Sequence, residues 1–379
     1  MGILFNNILF FSGYTYQPFD QLTRNPTYLL DERLYYFLDI VVTAKFYTLF
    51  SILFAFGFYL QLNRHTNDIP AFLKTYRRRL FILVIIGILH SLFWSGDILL
   101  LYALVGFLLM ALRNTKRKNL LRLAIFFLLL SSVFDLVFAP FVQTEGSTHS
   151  DLAHTTFPDM SPSEVMRVFQ DGTWQDIFLL NIHNLTWKWA SYVPSGRIFT
   201  VLGTFLLGYF LGTVTFFNEK VKSSRLLVLG LAFGLSTTII AQQIGGSPYR
   251  FPPTSSDTLY KFLWIVGQLS LSLFYMSFIA RVFDTTSGRK VLVYLEPVGR
   301  TALTNYVCQS IVSVAIFYNF GMNLFGRIGL AQIIMIAVGI LLVQVVMSNL
   351  WLHYYRYGPL EWAWRSLTYR RRIALTRKI

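Results

Sequence analysis

Cysteine is nearly absent. Cys308 stands alone in 379 residues, which excludes an internal disulfide and any cluster built on several thiolates. Charge is scarce too: Asp, Glu, Lys and Arg make up 13% of the chain, against about 25% in soluble domains. Acids are the rarer sign, 18 against 33 bases, for a net charge of +15. That excess does not indicate nucleic-acid binding, because the bases fall in short clusters between apolar segments. There is no P-loop, no G-x-S-x-G, no H-E-x-x-H and no Cys/His metal spacing, so no metal is expected. Repeats of about 20–50 residues and low-complexity tracts are also missing. The opening stretch MGILFNNILFFSG has neither a basic n-region nor a small-residue cleavage site, so it does not read as a cleavable signal peptide.

What the chain does have is apolar mass, 54% hydrophobic and 17% aromatic. Apolar runs set against polar punctuation predict an all-α, polytopic membrane protein of about ten spans forming one transmembrane domain over 1–379. An N-terminal half, 1–142, holds Met1 to about Ser12, Leu38–Leu62, Leu80–Trp94, Ile98–Leu112 and Leu120–Val142. The first of these is shorter than the ~20 residues a span needs, so it reads either as a short helix or as the end of a truncated one. A C-terminal half, 195–354, holds Ile198–Phe217, Leu226–Ile244, Leu259–Phe283, Thr301–Phe320 and Ile328–Tyr354.

Basic clusters fall in alternate loops: Arg64 to Arg79, Arg113 to Lys118, Lys220 to Arg225, Arg281 to Lys290, and the tail 355–379. The positive-inside rule then puts both termini in the cytoplasm. Segment 143–194, with Glu145, Asp151, Asp159, Glu164, Asp171 and Asp176 against Arg167 and Lys188, falls outside. Its Trp174, Trp187 and Trp189 predict an interfacial helix.

Leu80 to Leu112 would be about 50 Å long as one helix, too long for a hydrocarbon core of about 30 Å. A turn is therefore expected at Ser95-Gly96, with Asp97 capping the returning helix. His90 and Asp97 admit two readings. One is a packing histidine and a cap; the other is a proton-handling pair under an outer cavity. Asp39, Lys45, Asp135, Arg197, Gln242, Gln243 and Lys261 also lie toward the outer ends of their spans. They either snorkel and pair singly or together line a polar vestibule. On the inner side Thr301, Thr304, Asn305 and Gln309 recur at helical spacing behind Arg300. They read as interhelical hydrogen-bond glue or as a pocket for an anionic donor. Gly208 and Gly212 fit a G-x-x-x-G packing motif.

Several segments resemble the YeiB-like membrane proteins, domain-of-unknown-function family 418: HSLFWSGDILLLYALVGFLL (90–109), GRTALTNYVCQS (299–310), YGPLEWAWRSLTY (357–369), KFYTLFSILFAFGF (45–58) and GILFNNI (2–8). That family is similar in architecture to transmembrane acyltransferases such as heparan-alpha-glucosaminide N-acetyltransferase. The resemblance implies transfer of an acyl group from cytoplasmic acyl-CoA to an acceptor across the bilayer, here an envelope glycan or lipid of a bacterial inner membrane. Asn7 matches the asparagine at the reaction centre of those enzymes. No histidine follows in Ser12–Tyr35, so their base does not carry over. The expected catalytic set is His90, Asp97 and Asn7, with Arg300, Asn305, Gln309, Lys45 and Arg197 in substrate and donor binding. A transporter of a small molecule or envelope precursor, and a non-catalytic scaffold, use the same residue types and stay open.

Overall fold

The computed structural model describes residues 1–138, 160–214, 216–217, 220–246 and 253–377. Glu145, Asp151 and Asp159, and the side chain of Asp135, lie outside the described residues. Among those that are described the architecture is helical. There is no β-strand, only an isolated bridge between Tyr355 and Thr376. The helices are α1 (Gly2–Phe11), α2 (Phe19–Thr23), α3 (Tyr28–Val41), α4 (Lys45–Arg64), α5 (Ile69–Phe93), α6 (Leu99–Ala111), α7 (Arg117–Phe138) and α8 (Pro162–Asp171). After them come α9 (Trp174–Tyr192), α10 (Arg197–Thr213), α11 (Ser224–Ile244), α12 (Ser255–Asp284), α13 (Thr286–Arg300), α14 (Ala302–Phe317), α15 (Leu330–Tyr354) and α16 (Pro359–Tyr369).

By length and composition, four segments can cross a bilayer: Tyr28–Arg64, Ser224–Ile244, Ser255–Asp284 and Leu330–Tyr354. The pair α9 and α10, bent by 69°, would make a fifth. Helix α15 turns Leu342, Val343, Val346, Met347 and Leu350 outward, each more than half exposed. A stripe that apolar is stable against hydrocarbon and unstable against water. The chain is therefore a helical membrane protein.

Several boundaries differ from those read in the sequence; α5, for one, begins at Ile69 rather than Leu80. The apolar run around Leu38–Leu62 begins earlier and is broken between α3 and α4, where Ala44 adopts φ +66°. A β-carbon makes that left-handed conformation costly, so the break is imposed by packing. It turns Lys45 Nζ back onto the Asp39 carbonyl, at 2.6 Å. The acidic loop contains two helices rather than one. Each opens with a capping box, Ser161 with Glu164 and Thr173 with Asp176. Hydrogen bonds from the Thr173 side chain and backbone hold the exposed Asp176 carboxyl below its ordinary range.

The expected hairpin is present, with α5 turning through 94–98 into α6. Gly87 makes its close approach possible, since a β-carbon there would sit 2.6 Å from the Leu100 amide nitrogen. Helix α10 packs between α4 and α7, α11 pairs along α12, and α1 lies against α14 and α15. Helix α16 seals the base of α14. Glu361 Oε1 accepts from the amides of Leu303 (2.6 Å) and Thr304 (3.0 Å), and Oε2 from the Thr304 hydroxyl (2.6 Å). A carboxylate at a helix N-terminus satisfies orphan donors and meets the positive end of the dipole.

The G-x-x-x-G stretch of α10 faces α4, where a β-carbon on Gly208 would lie 2.2 Å from the Ile52 carbonyl oxygen. Gly208→Ala is expected to cost about 1–3 kcal/mol through overpacking and to lower the melting temperature of detergent-purified protein. Gly57→Ala, on a face of α4 with open space, serves as the control. Equal melting temperatures for the two variants would refute the close α4–α10 contact.

Candidate functional site

His90 sits in the last turn of α5 with both ring nitrogens engaged. Nδ1 lies 2.8 Å from Asp97 Oδ1, and Nε2 lies 2.8 Å from Ser310 Oγ. The imidazole and carboxylate are sealed from solvent, at 4% and 0% side-chain exposure. Local chain geometry brings the first two together. The amide of Trp94 bonds the His90 carbonyl at 3.0 Å, and the amide of Asp97 bonds the Trp94 carbonyl at 3.3 Å. Ile98 rather than Asp97 takes the N-cap position of α6, but Asp97, one residue before it, still serves the first turn, its Oδ2 accepting from the Leu100 amide at 2.9 Å. The cap reading and the proton-pair geometry therefore coexist, one on each carboxylate oxygen.

The contacts suit one neutral tautomer, with the carboxylate ionised. An ionised carboxylate only accepts, so Nδ1 carries the proton and Nε2 of the neutral ring is an acceptor. The Ser310 hydroxyl donates to it. Its alternative acceptor, the Tyr306 carbonyl, is 3.5 Å away.

Aromatic rings wall the imidazole. Between ring centroids, Tyr306 lies 5.0 Å from it and Trp94, in an edge-on arrangement, 6.0 Å. Phe11 of α1 stacks on Trp94 at 4.3 Å. Helix α9 roofs the hairpin tip: Asn181 Nδ2 donates to the Phe93 carbonyl (3.1 Å), and Lys188 Nζ to the carbonyls of Ser95 (2.6 Å) and Asp97. The Lys188 and Arg197 cations flank the Tyr192 ring, at 5.5 and 5.3 Å. Arg197 also lies over Tyr47, whose carbonyl accepts from Tyr102 at 2.8 Å.

The other sequence candidates divide into groups. Lys45 is fully buried, bonded to the Asp39 carbonyl and 4.1 Å above the Trp264 ring. Asp39 Oδ2 accepts from Gln242 at 2.7 Å, and Lys261 Nζ donates to the Ser195 carbonyl at 2.5 Å. On α14, Asn305 Nδ2 donates to Thr301 Oγ1 (2.9 Å) and Ser348 Oγ (3.0 Å), and Gln309 donates to Gln344 at 2.7 Å. This is interhelical bonding between α14 and α15. Arg300 is exposed, 3.9 Å from Glu296 and bonded to the Arg356 carbonyl. Asn7 is half-buried on α1, one turn before Phe11, and does not bond His90, whose two nitrogens are taken. Among the described residues no group of three His, Cys, Asp or Glu side chains is placed to hold a metal.

Sequence reading did not pair Ser310 with His90, nor did it give Lys188 and Glu361 their contacts. For Ser310 a signal exists: Leu303, Tyr306, Ser310, Ser313 and Phe317 fall at helical spacing on one face of α14. A hydroxyl within that otherwise mostly apolar stripe implies a buried polar partner.

Residues 211–371 match the family profile described as "Protein of unknown function (DUF418)". The chain is 32% identical over 345 residues to the uncharacterized protein YxaH of Bacillus subtilis, covering 88% of this chain and 81% of that one. It is 26% identical over 352 residues to the uncharacterized protein YeiB of Escherichia coli, covering 88% and 84%. No solved structure matches the chain significantly.

Asp97→Ala removes the cap and strands a buried imidazole N–H, an expected loss of about 2–4 kcal/mol. Asp97→Asn keeps a capping oxygen and is expected to lose less. Chemical denaturation of the two variants separates them, and wild-type stability in Asp97→Ala would rule out both bonds.

Proposed function

The chain belongs to the DUF418 family, and we propose that it is a multi-pass acyltransferase moving an acyl group from cytoplasmic acyl-CoA to an extracytoplasmic envelope glycan or lipid. The observation that carries this reading is His90, a buried imidazole oriented by a carboxylate at Nδ1 and accepting from a hydroxyl at Nε2. Acyl transfer needs a base of this kind, one that takes a proton from an attacking hydroxyl or amine and returns it to the leaving group. A buried setting favours it, because fixed dipoles and charges act more strongly there than in water.

In this reading the chain makes about ten spans in a bacterial inner membrane, with both termini cytoplasmic. Segment 143–194 lies outside, and α9 covers the acceptor side. Arg300 meets the phosphates of the donor at the inner mouth, with Asn305 and Gln309 shaping the wall beside it. Asn7 donates to the developing oxyanion, while Lys45 and Arg197 serve the acceptor side. A transporter built on the same buried charges needs no base aligned on a hydroxyl, so the His90 geometry favours transfer.

Purified protein in nanodiscs is expected to bind acyl-CoA and release free CoA slowly, with water as surrogate acceptor. His90→Ala should lower that rate by about 10²-fold or more. Wild-type protein that neither binds nor cleaves acyl-CoA would end the proposal. The orientation has its own test. Ser163→Cys in a Cys308→Ala background should react with an impermeant maleimide added outside intact spheroplasts. Reaction only after the inner face is opened would reverse the topology.

A further inference from the structure

We propose that Ser310 is the nucleophile that carries the acyl group as a covalent serine ester, with His90 and Asp97 as its base and orienting acid. The step rests on the acyl-transfer reading, and it turns a direct transfer into two half-reactions.

Three observations support it. The first is the relay geometry, with 2.8 Å from Asp97 Oδ1 to His90 Nδ1 and 2.8 Å from Nε2 to Ser310 Oγ. Three buried side chains from two separate parts of the chain, the α5–α6 hairpin and α14, align in the order a nucleophilic serine requires.

The second is how helical hydroxyls behave elsewhere in this protein. Thr48, Ser51, Ser91, Thr238 and Ser272 each donate to the carbonyl four residues back, at 2.8, 2.9, 2.7, 2.8 and 2.6 Å. That back-bond is the default means of satisfying a buried helical hydroxyl. At Ser310 the distance is 3.5 Å and the hydroxyl is turned to the imidazole instead. The long back-bond alone does not set Ser310 apart, since Thr200 stands 3.5 Å from the Gly196 carbonyl and Ser313 makes no such bond; the imidazole at 2.8 Å does.

The third is Ser313, one turn further along the same face. It is fully buried, and its Oγ has no hydrogen-bond partner among the described residues. An unsatisfied buried donor is costly, and its position next to Ser310 suits an oxyanion that forms only during reaction.

The chemistry balances without a further reagent. Ser310 Oγ attacks the thioester carbonyl carbon, forming a C–O bond as its proton passes to His90 Nε2. The C–S bond breaks, and the CoA thiolate leaves as a thiol with that proton. An acceptor hydroxyl then attacks the serine ester and gives its proton to Nε2. The ester C–O bond breaks and Ser310 recovers its proton. Ser310 stands eight residues into α14, about 12 Å of helical rise from its inner end, a depth that an extended pantetheine arm can reach. Because the ester holds the acyl group between half-reactions, donor and acceptor need never occupy the site together.

The test uses the full-length protein in nanodiscs with two probes. A lipophilic fluorophosphonate, which reacts with activated serines without any donor, is followed by peptide mapping. Radiolabelled acetyl-CoA is followed by acid quench. Labelling at Ser310 by both is expected, with loss of both in Ser310→Ala and a drop of about 10²-fold or more in His90→Ala. Melting curves check that each variant is folded. Ser310→Cys gives a second readout, since its adduct should be a thioester cleaved by neutral hydroxylamine where the wild-type ester resists. If Ser310→Ala still releases CoA in a His90-dependent manner and the fluorophosphonate leaves Ser310 unmodified, the nucleophile is overturned while acyl transfer stands. If the fluorophosphonate labels Ser310 but acetyl-CoA neither binds nor acylates, the nucleophile stands and the donor is wrong. If neither probe modifies Ser310 in folded wild-type protein, the proposal is overturned.

Discussion

One carboxylate serves two partners, and the polar centre of the protein depends on that sharing. Asp97 Oδ2 completes the first turn of α6 while Oδ1 holds the His90 imidazole. The cap fixes the carboxylate through backbone geometry, and the carboxylate in turn fixes the ring. Where the local dielectric is low, such bonds are strong and their loss is expensive. The hairpin therefore carries the histidine as a structural element rather than as a side chain free to change rotamer. Helix α14 delivers the third member, anchored at its base by Glu361.

Two buried lysines and one partly buried one follow a common rule. Lys45, Lys188 and Lys261 donate to the carbonyls of Asp39, Ser95 and Ser195. Those carbonyls lie in the last turn of α3 or just beyond the ends of α5 and α9. Helix C-termini leave orphan carbonyls and carry the negative end of the dipole. An ammonium placed there offsets part of its desolvation through backbone oxygens. This is how a chain so poor in acids keeps cations inside an apolar body.

Much of this was legible in the sequence. The hairpin turn at Ser95-Gly96 followed from a helix too long for the bilayer, and the Asp97 cap followed from the turn. The helical membrane class followed from composition. Other features depend on contacts distant in sequence and carry no local mark. His90 and Ser310 are 220 residues apart. Sorting residues by depth alone put Thr301 to Gln309 with the inner set and His90 with the outer set, although Ser310, the next residue of α14, meets His90 within the protein. The break at Ala44 was hidden because Val42, Thr43 and Ala44 carry no turn signature; packing imposes it against local preference. Asn305 and Gln309 make bonds between α14 and α15, to partners 43 and 35 residues away that their local spacing did not name.

Among the described residues, the hydrogen bonds by which α9 holds the hairpin go to main-chain oxygens, those of Phe93, Ser95 and Asp97, beside ring contact between Trp174 and Phe93. Such hydrogen bonds do not depend on which side chains occupy those positions. Substitutions along the tip can change the hydrogen bonds of His90 and Asp97 while α9 stays fastened, and substitutions at Asn181 or Lys188 can loosen α9 while those bonds stay intact. The covering helix and the buried polar chain are thus separable by genetics, although they meet on the same few residues of backbone.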